Sequence, residues 1–168
     1  MSSTPSPREL RDFAFKKQAP SDGIVNAVLN LIVTYFMIGD VALVPVVAPP
    51  GSSFSKSVLG SLVVPAVLIA FAISLLTTKI TISKRIKGEV VPQLQPGKSW
   101  IGWAFGWGLI RAVINLLVVY GIAGIIIQFY PGAEVSRITA SVIVAGIAGV
   151  LAYIESASAV MRTREHWG

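Results

Sequence analysis

The sequence predicts an all-α integral membrane protein, a four-transmembrane-helix bundle with both termini on the cytoplasmic side. Three observations lead there. Of the 168 residues, 54% are hydrophobic and 13% charged, whereas a soluble domain carries about 25% charged residues. The apolar residues gather in four blocks, near Ile24–Val47, Val58–Ile80, Leu109–Tyr130 and Ile138–Met161. A hydrocarbon core about 30 Å thick takes roughly 20 such residues per crossing. Third, the basic residues are sorted. Arg8, Arg11, Lys16, Lys17, Lys79, Lys84, Arg85, Lys87, Lys98, Arg162 and Arg164 fall on the side of the termini and central loop, and only Lys56 and Arg137 on the other. Positive residues beside short loops favour the cytoplasmic face, and an even number of spans returns the C-terminus to it.

The elements follow in order. Residues 1–20 form a polar cytoplasmic tail without the apolar stretch of a signal peptide. Ala19-Pro20-Ser21-Asp22 reads as a helix start, with Ser21 or Asp22 as the cap. Residues 21–80 are a first transmembrane hairpin, in which Pro65 deprives the Ser61 carbonyl of its helical donor. Residues 81–100 are a basic cytoplasmic loop, 101–161 a second hairpin, and 162–168 a short cytoplasmic tail. Trp100, Trp103 and Trp107 recur at spacings of three and four. They read as an interfacial belt leading into the third span, with an aromatic cage for a ligand cation as the alternative. The expected location is a bacterial cytoplasmic membrane, with the lipid bilayer as the first partner.

The two hairpins repeat one another. At an offset of 85, Ala27-Val28-Leu29-Asn30-Leu31-Ile32-Val33-Thr34-Tyr35 lies over Ala112-Val113-Ile114-Asn115-Leu116-Leu117-Val118-Val119-Tyr120, and Gly39 over Gly124. At an offset of 81, Pro50-Gly51 and Ser55-Lys56 meet Pro131-Gly132 and Ser136-Arg137. Matched Asn and Tyr are the informative pairs, because they are rare in spans. A tandem parallel duplication of a two-helix hairpin follows, with a pseudo-twofold axis along the membrane normal. It predicts that the polar faces Asn26/Asn30 and Arg111/Asn115 look toward one another.

Polar side chains inside a span are costly and face protein or water. The candidate intramembrane site is therefore Asn26, Asn30, Asp40, Arg111, Asn115 and Glu155. Arg111 and Glu155 stand at one depth and are expected to pair, as a gate or as a fastening between the third and fourth spans. Asp40, in the outer half of the first span, is a proton-linked carboxyl, a hydrogen-bonded helix contact, or an interface residue if the span ends early. Ser141, Ala145, Ala148, Gly149, Ala152, Ser156 and Ala159 form a small-residue stripe on the fourth span. The closest helix contact is expected there.

Cysteine is absent and His166 is the only histidine, so no metal, haem or other cofactor is expected. The acids are dispersed and no nucleophile–base set can be assembled, which argues against an enzyme. The net charge of +6 is accounted for by topology, and no nucleic-acid partner is expected. Two functions remain. One is a non-enzymatic helix-packing subunit of a membrane complex or homo-oligomer. The other is a small oligomeric transporter or channel, proton-linked through Asp40 or Glu155.

Overall fold

The computed structural model describes residues 8–49, 51–53, 56–94 and 99–167, the side chains of the last three apart. Four helices carry the chain: α1 (Leu10–Ile38), α2 (Gly60–Ile86), α3 (Ile101–Phe129) and α4 (Arg137–Trp167). Each is long and apolar enough to cross a membrane. Two short sheets tie the connections together at opposite ends. At the end holding the termini, β1 (Arg8–Glu9) runs parallel to β3 (Val90–Val91). At the other end, β2 (Leu43–Pro45) is antiparallel to β4 (Glu134–Ser136).

Both bounds of the first helix differ from the sequence reading. Its start lies at Leu10, well before Ser21 and Asp22, which cap nothing. The cause is non-local: Leu10, Phe13 and Ala14 are buried with Val90 and Val160, and apolar burial outweighs a local start signal. The proline is accommodated by a π-helical turn, Ala14–Gln18, just before Pro20. A proline ring collides with the carbonyl four residues back in a regular helix, and a widened turn relieves this. At the other bound, the apolar block Ile24–Val47 is not one helix. Gly39 takes φ of +69°, a conformation that glycine tolerates and other residues rarely adopt, and the helix stops at Ile38. The apolar residues beyond it become β2, not a further turn.

Laterally, α2 and α4 pack together at the centre, α1 lies along α4, and α3 lies along α2. The sequence neighbours α1 and α2 barely touch. Small residues set these contacts. A Cβ on Gly149 would stand 3.0 Å from the Ala27 Cβ and 3.1 Å from the Gly23 oxygen, so the α1 and α4 backbones are in near contact. Gly108 plays the same part on α3, where a Cβ would come within 3.2 Å of the Phe71 ring and 3.4 Å of the Ser74 Cβ. The α4 stripe is used up inside the chain: Ser141, Ala145, Ala148, Ala152, Ser156 and Ala159 are buried, with Ala148 and Ala152 against Ile69 and Ile73 of α2. Nearer β2 and β4, Val44, Leu59, Leu62, Val119 and Val144 form a larger apolar cluster.

This arrangement corrects one expectation. The faces Asn26/Asn30 and Arg111/Asn115 do not look toward one another, because α1 and α3 do not pack together. The glycine contacts draw each outer helix onto the central pair instead.

Candidate functional site

Along α1 the polar positions recur every fourth residue: Asp22, Asn26, Asn30 and Thr34. That spacing puts them on one helix face. Asp22 is the most heavily bonded of them. Its Oδ2 accepts from Ser156 Oγ of α4 at 2.6 Å and from Thr77 Oγ1 of α2 at 3.0 Å. Gln18 Nε2 donates to both carboxylate oxygens, at 3.1 and 3.2 Å. All of these donors are neutral. Among the described residues no Lys or Arg forms an ion pair with Asp22.

One turn on, the Asn26 amide donates to the Asp22 carbonyl, and the Asn30 amide to the Asn26 carbonyl, each at 2.8 Å. Spending Nδ2 on their own helix leaves the Oδ1 atoms as the remaining acceptors of the two amides. Both residues line a groove of about 310 Å³ where α1 and α2 diverge. Leu29, Val33, Thr34 and Met37 complete its α1 wall, and Ser61, Val64, Pro65 and Leu68 belong to its α2 wall.

The positions 85 residues further on, on α3, are closed off. Arg111 Nε lies 2.9 Å from both carboxylate oxygens of Glu155, so the two charges that the sequence places at one depth are bonded. Glu155 is 1% exposed and the Arg111 side chain 21%. Asn115 is buried and donates to the Ala66 carbonyl of α2 at 3.3 Å.

At the end holding the termini, Arg85 is fully buried. It donates through Nε to the Pro92 carbonyl at 2.8 Å and through Nη1 to the Thr163 carbonyl at 2.6 Å. It thus fastens α2 to the central connection and to α4, a role the sequence reading did not give it. Beside it, Lys84 meets Glu89 at 2.7 Å. The hydrogen bond from Lys84, followed by its charge, holds the Glu89 carboxyl below the usual carboxylate range. Trp107 of the aromatic belt lies under the guanidinium of Arg162, 4.8 Å from ring centre, so the cation on that ring is the chain's own. Trp103 is half-buried on the same helix, and Trp100 stands just before it.

At the far end Asp40 has left the helix. Its side chain is fully exposed and bonds Arg137 Nη1 at 3.0 Å. Arg137 also donates to the Tyr35 carbonyl from Nε at 2.9 Å and Nη2 at 2.6 Å, with its guanidinium 3.8 Å over the Tyr35 ring. The C-terminus of α1 thus receives a cation where its dipole is negative. Of the three readings of Asp40, the interface residue after an early helix end is the one that fits, and the desolvated carboxyl is withdrawn.

Sequence reading missed Asp22 by treating it as a cap. The signal that carries it is the four-residue spacing with Asn26, Asn30 and Thr34. Among the described residues no cluster of three His, Cys, Asp or Glu is close enough to hold a metal. Residues 1–7 of the tail, Pro50 and Ser55 of the repeated loop pattern, and Lys98 lie outside the described residues, as does the His166 side chain. Compared with models of protein families, with curated proteins and with solved structures, the chain finds no match.

Proposed function

We propose that this chain is an integral membrane protein of a bacterial cytoplasmic membrane, with both termini inside, acting without catalysis as a helix-packing subunit of a membrane complex or homo-oligomer. The observation that carries this reading is the groove between α1 and α2. Asn26 and Asn30 line it, and their cross-helix needs are unmet within the chain. Amide acceptors turned toward hydrocarbon are costly, and a helix of a partner or a second copy that donates into the groove relieves that cost. The α4 stripe does not serve this purpose, since α1 and α2 already occupy it.

Orientation rests on the basic residues, eleven on the terminal side against two on the other. The tandem duplication draws support from packing. Ala19 and Gly23 are buried on α1, and their counterparts 85 residues on, Ala104 and Gly108, are buried on α3.

Purification under native conditions, with the mass determined in mild detergent, tests the subunit reading. A stoichiometric second chain or a multiple of 17.8 kDa is expected, and a lone chain of that mass overturns it. Because native cysteine is absent, single cysteines at the exposed positions Ser53, Lys87 and Arg164 report topology. Position 53 should be labelled only from outside and the other two only from the cytoplasm. The opposite pattern reverses the orientation.

The transport reading keeps one supporting observation, the polar ladder of α1 facing Pro65 of α2. It no longer draws on Asp40, which lies beyond the helix. Loss of flux through Asn30→Leu protein in proteoliposomes, with the oligomer intact, would favour it over the packing role.

A further inference from the structure

We infer that Asp22, Thr77 and Ser156, with Gln18, form a binding site for a small monovalent cation, of which Na⁺ is the natural occupant. The inference rests on the bond geometry around Asp22 and does not depend on the subunit reading.

Three side chains, one each from α1, α2 and α4, converge on the Asp22 carboxylate. Every hydrogen bond runs toward it, from two hydroxyls and an amide. A carboxylate whose side-chain partners are all neutral thus stands at the meeting point of three helices. Asp22 lies five residues beyond Lys17, about 7.5 Å further along α1, and the charges of Arg111 and Glu155 are spent on one another. A carboxylate packed between helices without a cationic partner is costly, and a bound cation removes that cost.

The ligand chemistry suits a hard cation. Serine and threonine oxygens keep lone pairs when they donate, so rotating each O–H aside presents oxygen to an ion seated beside the carboxylate. A half-turn of the Gln18 amide brings its oxygen to the same place. Oxygen-only sets select the alkali and alkaline-earth ions. A single carboxylate compensates a single charge, which favours a monovalent ion over Ca²⁺ or Mg²⁺. The hydroxyl oxygens stand only 2.6 and 3.0 Å from Asp22 Oδ2, so a small ion spreads the three helices less than K⁺ does.

The test is thermal unfolding of the full chain in lipid nanodiscs at neutral pH, with NaCl exchanged for choline chloride or KCl at fixed ionic strength. Na⁺ should raise Tm by about 3 °C, the size expected of modest ligand binding to the folded state, and the rise should saturate. K⁺ should need at least a tenfold higher concentration. Asp22→Asn should abolish the response, and Ser156→Ala or Thr77→Val should raise the half-saturating Na⁺ concentration about tenfold. Asp40→Asn, at the opposite end of α1, should keep it. A shift equal in choline, or one that survives Asp22→Asn, overturns the site. So does stabilisation by acid alone with none by Na⁺. Where Asp22→Asn does not fold, an unchanged half-saturation in the two hydroxyl variants overturns it equally.

Discussion

Gly23 of α1 meets Gly149 of α4 backbone to backbone, and Gly108 of α3, 85 residues further on, meets Phe71 and Ser74 of α2. So far the two outer helices are docked alike. One turn further along, they part company. On α3, Arg111 reaches Glu155 and Asn115 reaches the Ala66 carbonyl, so both polar groups are satisfied across a helix interface. On α1, Asn26 and Asn30 bond only to their own helix and line an open groove. Small residues decide where a helix lies. The polar residues beside them decide whether its flank is sealed or left for something else.

The sealed flank should fail most severely when its charges are separated. Glu155→Ala leaves Arg111 without its buried partner and should cost about 3–5 kcal/mol, read as a large fall in Tm or as loss of the folded bundle. Replacing both residues by glutamine and methionine should recover much of that. A single variant as stable as the parent would show that the pair contributes little. Next in size is the backbone contact. Gly149→Ala drives a Cβ to 3.0 Å from Ala27 and should cost about 1–3 kcal/mol. Gly102→Ala and Gly106→Ala, where nothing lies within 4 Å, should be neutral or slightly stabilising.

The amide pair sharpens the comparison further. Asn115→Leu loses a cross-helix bond and should destabilise the isolated chain by about 1 kcal/mol. Asn30→Leu should leave the isolated chain unaffected and weaken assembly instead. Equal effects on the isolated chain would mean that the two flanks are alike. The smallest effect lies outside the bundle. Lys84 holds the Glu89 carboxyl below its usual range, so the pair's contribution is present above that range and lost as pH falls through the lowered value. Because Glu89 is exposed, Glu89→Gln should change Tm at the edge of detection, and only on the neutral side of that window.

Four helices were legible from block length alone, and the Arg111–Glu155 bond from two charges at one depth. The stripe from Ser141 to Ser156 was legible because small residues at helical spacing have few other uses. The misreadings share a cause. Leu10 and Phe13 extend α1 only because Val90 and Val160 are there to bury them, and no local signal reports a partner so distant in sequence. Ser21-Asp22 therefore passed for a cap, and the residue at the centre of the α1 bonding network was overlooked. Two of the three readings of Asp40 place it inside the span because apolar residues continue past Gly39. Their destination is a strand paired with Glu134–Ser136, again a contact that the local pattern does not encode. The proposed repeat pairs positions along the sequence. It does not say which helices stand at the centre, since that depends on glycine contacts between hairpins.

On the subunit proposal, the groove beside Asn26 and Asn30 is covered by another chain in the membrane. A photoreactive benzophenone side chain at Val33, on the groove wall, irradiated in native membranes, tests it directly. The same group at Leu109, on the exposed face of α3, serves as the lipid-facing reference. Protein adducts at position 33 and lipid adducts alone at position 109 are the predicted result. Lipid adducts alone at both positions would contradict the claim.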